Sequence, residues 1–81
     1  MKITGTRGHI FFDFENGYKI KALGELLVNN TFFVYTDTLK NWEPPHDKET
    51  ISREQINGLI REALKATENT VVKVEFEEMG G

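Results

Sequence analysis

Apolar and polar residues alternate with a period of two through most of the first 36 positions, and from residue 51 the period becomes 3.6. In "HIFFDF" at 9–14, Ile10, Phe12 and Phe14 fall on one face and Phe11 and Asp13 on the other, the pattern of a half-buried strand. Asn16-Gly17 supplies the positive φ of a tight hairpin. "YKIKAL" then sets Tyr18, Ile20 and Ala22 against Lys19 and Lys21. "GELLV" continues extended, "NN" at 29–30 tolerates left-handed geometry, and "TFFVYT" places Phe32 and Val34 opposite Phe33 and Tyr35. "KITGT" at 2–6 reads as a short first strand, with "GTRG" at 5–8 as the turn that follows it.

The change of period marks a helix. Ser52 is placed as N-cap, Gln55 closes a capping box three residues on, and Ile51 faces Ile56 as a hydrophobic staple. Ile56, Leu59, Ile60, Ala63 and Leu64 form one apolar stripe, and charged or amide side chains cover the rest. "TENT" at 67–70 ends the helix. "VVKVEFEE" then alternates Val72, Val74 and Phe76 against Lys73, Glu75 and Glu77, a last strand with one solvated, acidic face. A lone amphipathic helix must bury its stripe on something. The expected fold class is therefore α+β: an antiparallel sheet of four to six strands with one amphipathic helix packed on one face. Ile56, Leu59, Ile60 and Leu64 are expected to rest on Phe12, Phe14, Ile20, Val34, Val72 and Val74.

Eighty-one residues make one domain, expected over 1–78 with a flexible tail at 79–81. So short a chain buries a small core, to which six Phe contribute large rings. The absence of Cys excludes a disulfide framework and thiolate metal sites. "MKITGTRGHI" lacks the apolar segment of a signal peptide, and no window is apolar enough for a membrane span, so a cytoplasmic protein with no membrane partner is expected. Thirteen acidic against ten basic residues give a net charge of −3, the wrong sign for holding nucleic acid.

The most unusual stretch is "TLKNWEPPHDKET" at 38–50, which holds the only Trp and both Pro. The double proline forbids helix and central strand and carries the chain stiffly from sheet to helix. Trp42 beside it has two readings, a core lid over the sheet edge or a rigid contact anchor of the kind that dominates binding hot spots. Asp37, Glu43, Asp47 and Glu49 flank the loop, and an acidic rim of this sort favours a basic partner. His46 is a solvent-exposed loop residue or a partner contact. With Trp42, Glu43, Asp47, Asp37 and Glu49 it makes up the candidate partner-binding set. His46 and Asp47 resemble a polarised base, but neighbouring side chains diverge and no Ser or Cys is presented as nucleophile, so no catalytic residue is assigned. His9 and His46 are not brought together by any sequence feature, and no Gly-rich phosphate motif is present, so neither metal nor cofactor is expected. A homodimer through a sheet edge stays open.

Two resemblances bear on function. The ending "EEMGG" resembles the diglycine tail of small sulfur carriers and ubiquitin-like modifiers, which act through that carboxylate. There, however, the main helix follows the first hairpin, whereas here it starts at Ser52 with one strand after it, and this carrier reading is kept as the alternative. The second resemblance spans nearly the whole chain. Extended N-terminal strands leading to "GELL", then "LKNWEPPHD", the helix "ISREQINGLIREAL" and the closing "VEFE" resemble the immunity proteins of bacterial polymorphic-toxin systems, in particular the family of immunity protein 74. Trp42, Glu43, Pro44 and Pro45 are the motif part. The resemblance implies a cytoplasmic protein that binds and neutralises a cognate toxin without catalysis of its own.

Overall fold

The computed structural model describes residues 1–77. It is α+β, as the patterning predicts. Strands β1 (Lys2–Gly5), β2 (His9–Asp13), β3 (Lys19–Leu26) and β4 (Thr31–Val34) precede a 3-10 turn at Thr36–Thr38, helix α1 (Arg53–Thr67) and strand β5 (Lys73–Phe76). They form one five-stranded sheet in the order β1-β2-β3-β4-β5. The first four strands pair antiparallel, but β5 joins β4 parallel, Thr31 opposite Lys73 and Val34 opposite Phe76. Period two carries no direction. The helix lies between β4 and β5 and returns the chain to the end from which β4 starts, so the last pair is parallel.

β3 is the hinge of the sheet. Its residues 19–23 pair with β2, and its residues 24–26 pair with β4. At the changeover stands Gly24, where an added Cβ would collide with the Phe33 carbonyl and sit 2.6 Å from the Phe32 ring. This close approach lets the two halves fold toward each other. The result shows in Phe12 of β2 and Phe76 of β5, which stack with centroids 6.0 Å apart. Three strand spacings in a flat sheet would separate their backbones by roughly 14 Å. The sheet is curled around a core of Ile10, Phe12, Ile20, Ala22, Phe32 and Val34, joined by Leu39, Trp42, Leu59, Ala63 and Val74.

The helix begins at the predicted capping box. Ser52 Oγ accepts from Gln55 N at 3.1 Å, and Gln55 Oε1 accepts from Ser52 N at 2.9 Å. Leu59, Ala63 and Thr67 are its buried residues, with Ile56 and Ile60 half-buried beside them. Leu64 departs from the expectation and is 45% exposed. At about 100° per residue the row Ile56, Ile60, Leu64 lies to one side of the buried row Leu59, Ala63, Thr67, and Leu64 stands farthest round, about 140° from Leu59, so it falls clear of the sheet. Val72 is likewise exposed, because β5 starts one residue later. Thr67 closes the helix onto that strand. Its hydroxyl donates to Ala63 O at 2.9 Å and accepts from Val74 N at 3.3 Å.

Candidate functional site

After β4 the chain continues antiparallel along the free half of β3. Tyr35 N donates to Leu23 O at 2.9 Å and Leu23 N to Thr38 Oγ1 at 2.9 Å. Ile20 then faces Trp42, and Glu43 N donates to Lys19 O at 2.8 Å. Directly opposed residues share a face of a sheet, and Ile20 is fully buried, so the indole is turned inward. Trp42 is 6% exposed. Of the two readings open to it, the core one describes its position.

An Asn41–Thr50 bridge closes the base of the proline loop. Within it His46 N donates to Glu43 O and Glu49 N to His46 O, at 3.1 and 3.0 Å, and the Pro44–Pro45 bond is cis. A second loop comes up beside it, the β2–β3 turn at 14–18. Its geometry corrects the expected Asn-Gly hairpin: positive φ falls on Glu15 (63°) and Gly17 (93°), and Asn16 acts through its side chain, which accepts from Tyr18 N at 3.1 Å. Asp13 does the same for Glu15 N at 2.8 Å. The turn is thus held by two Asx bonds and delivers Tyr18 to a fixed place.

Tyr18 joins the two loops. Its ring meets Trp42 edge-on at 5.0 Å, Phe14 meets the same indole at 5.7 Å, and the His46 imidazole stacks on Tyr18 at 3.7 Å. The Tyr18 hydroxyl donates to Glu49 Oε1 at 2.8 Å, while Glu49 Oε2 pairs with His46 Nδ1. These two bonds, Tyr18 first, hold the Glu49 carboxyl below the usual glutamate range. The same bond to Glu49 pushes the Tyr18 phenol upward, with partial desolvation adding to it. A phenol whose proton is held more tightly is the reverse of an activated nucleophile. The network stiffens a surface.

Of the candidate residues, His46 and Glu49 sit in this network and Trp42 lies beneath it. Glu43 is half-buried at the loop's root, and Asp47 is exposed within the loop. Asp37 is exposed in the 3-10 turn, whose neighbour Thr38 binds Leu23, about 10 Å along β3 from Ile20. In the sequence Tyr18 reads only as strand alternation and Phe14 only as a core position under the helix, and neither reads as part of a site. The pairing of Ile20 with Trp42 brings them in, and no local signal announces it. Beside the network a groove of about 630 Å³ runs between the 14–18 turn and α1, with Trp42, Phe14 and Gly58 among its lining and Arg61 and Glu62 at the helix side. Among the described residues no group of three or more His, Cys, Asp or Glu is placed to hold a metal ion, and no helix is long and apolar enough to cross a membrane. Gly80 and Gly81, on which the carrier reading rests, and the tail expected at 79–81 lie outside the described residues.

A family model described as immunity protein 74 matches residues 2–77 of the chain. Comparison with curated proteins and with solved structures finds no significant match.

Proposed function

The chain belongs to the immunity protein 74 family, and from that premise we propose that it is a non-catalytic binding protein that neutralises a cognate bacterial toxin by direct contact in the cytoplasm. The proposed contact surface is the proline loop, with Glu43, His46, Asp47 and Glu49 facing a basic patch of the toxin and Asp37 at the margin. Trp42 serves this surface from below as the ring against which Phe14 and Tyr18 set the loop. The observation that carries the reading is the Tyr18–His46–Glu49 network over a buried indole. A loop already fixed loses little conformational freedom on docking, so more of its contact energy appears as affinity. Its acids supply the charge complementarity that speeds encounter with a basic partner.

The test is co-expression with the toxin domain of the same system. Wild type should rescue growth and co-purify with the toxin at a fixed ratio, and toxin separated from the complex should regain full activity. The Glu43→Gln/Asp47→Asn/Glu49→Gln variant, shown to be folded, should lose rescue. Undiminished rescue by that variant refutes the surface, and toxin left permanently altered after separation refutes the non-catalytic reading.

A further inference from the structure

The far end of β3 carries a surface unlike the acidic loop. Pairing of Thr31 with Lys73, and the Lys73 N bond to Asn30 O at 3.0 Å, bring the β3–β4 turn beside the connection from α1 to β5. Val28, Val71, Leu26 and Val72 are all exposed there. Between β1, the last turns of α1 and the start of β5 opens a cavity of about 620 Å³, lined by Ile3, Leu26, Phe32, Val72 and Val74 among others. Among the described residues of that lining, Arg7 carries the one charged side chain. Its main-chain position is fixed, since its carbonyl accepts from Leu26 N at 3.2 Å and the neighbouring Gly8 carbonyl accepts from Gly24 N at 3.1 Å. The volume lies within the range of ligand sites, which are mostly apolar with a few placed polar groups.

The cavity adjoins an open sheet edge. Among the described residues β1 pairs only with β2. Thr6 N donates to His9 O, so by antiparallel alternation Lys2 and Thr4 bond to β2 while the N–H and C=O of Ile3 and Gly5 point outward. The opposite edge is not equivalent, because the hydroxyl of Thr67 already accepts from Val74 N of β5. An unpaired row of main-chain groups beside side-chain pockets is the geometry for adding an extended peptide as a further strand.

Charge decides what can be added. The run from Lys2 to Arg7 contains two cations and no acid. In a symmetric antiparallel pairing of two β1 strands, outward groups meet outward groups, Ile3 of one copy opposite Gly5 of the other, and Lys2 and Arg7 of both copies then line one junction, so like charge disfavours a second copy. A segment bearing a carboxylate is attracted. We propose that the β1 edge and its cavity form a docking slot for an extended acidic segment of a partner protein. That segment adds as a sixth strand, seats one large apolar side chain between Ile3 and Val72, and sets a carboxylate on Arg7. The slot is separate from the proline loop and does not depend on what that loop binds.

The test uses the full chain, isotope-labelled for amide spectra, titrated with two capped pentapeptides, Asp-Val-Leu-Val-Asp and Lys-Val-Leu-Val-Lys. The acidic peptide should shift the amides of Ile3, Gly5, Arg7 and Leu26 saturably and slow hydrogen exchange at Ile3 and Gly5. Arg7→Glu, a change in an exposed turn, should weaken it by about tenfold, the equivalent of one charge-assisted contact, and improve binding of the basic peptide. Three results overturn the proposal: no response at millimolar peptide, equal response to both peptides, or indifference to Arg7→Glu. A concentration-dependent dimer whose interface maps to β1 would assign the edge to a second copy instead.

Discussion

The imidazole of His46 lies flat on the phenol of Tyr18, with centroids 3.7 Å and planes 13° apart. The Tyr18 hydroxyl reaches past it to Glu49, 31 residues along the chain. One aromatic side chain thus fastens a hairpin turn to a proline loop, with Trp42 as the floor under both. This stack adds to the restriction that the two prolines place on the loop.

The acid limb of stability should carry the signature of Glu49. Its carboxyl is held low by the Tyr18 hydroxyl first and His46 second, so its folded value lies below its unfolded one. The stabilisation is then present above the ordinary glutamate range, near pH 4.3, and is lost as pH falls through the lowered folded value. Glu49→Gln should melt below wild type at neutral pH, with the gap closing below about pH 4. Thermal melts of both proteins from pH 3 to pH 7 check this, and a gap constant across that range contradicts it.

Two glycines should respond in opposite directions. Gly24→Ala drives a methyl into the Phe33 carbonyl and the Phe32 ring where the sheet bends, and should cost about 2 kcal/mol or more. Gly58 stands mid-helix with nothing within 4 Å of the added Cβ, so Gly58→Ala should add up to about 1 kcal/mol. Urea denaturation measures both. A Gly24→Ala variant as stable as wild type would remove the account of the bend.

What could be read from the chain follows the range of each signal. The Ser52–Gln55 capping box needs four residues, and the alternation of Ile10, Phe12, Ile20, Ala22, Phe32 and Val34 needs only neighbours, so the elements and most of the core were legible. Apolar spacing puts Leu64 in the stripe but does not say which part of a broad stripe is centred under the sheet. The parallel entry of β5 was hidden because alternation has no polarity. Tyr18 was missed for a third reason: its role exists only once Trp42 has paired with Ile20 across a long loop.

Thr67 provides a test of the joint between α1 and β5. Its buried hydroxyl replaces the strand partner that Val74 N lacks on the sheet's outer edge. Thr67→Val keeps the shape and leaves that N–H unpaired, at a cost of about 1–3 kcal/mol. Thr67→Ser keeps the hydroxyl and should cost less. Hydrogen exchange at the Val74 amide should quicken in the valine variant alone, and equal exchange in both would show that the hydroxyl is not its partner.

Association with the toxin should separate charge from packing. Trp42→Ala is a poor probe, because removing a buried Trp costs about 3–5 kcal/mol of stability in a chain with so small a core. Glu43→Gln and Asp47→Asn leave the indole and the Tyr18 stack in place and remove only field. Charges that steer encounter act before contact is made, so the double variant should lower the association rate more than it raises the dissociation rate. The difference should shrink with added salt as the Debye length falls below about 8 Å. Surface-binding kinetics at two salt concentrations, with melting curves to verify folding, measure both rates. Loss carried wholly in the dissociation rate, or an association rate indifferent to salt, would place the recognition in close contacts rather than in the acids of the loop. The remaining candidate would then be the Trp42 groove, where Gly58 keeps the floor open and Arg61 and Glu62 carry charge of both signs.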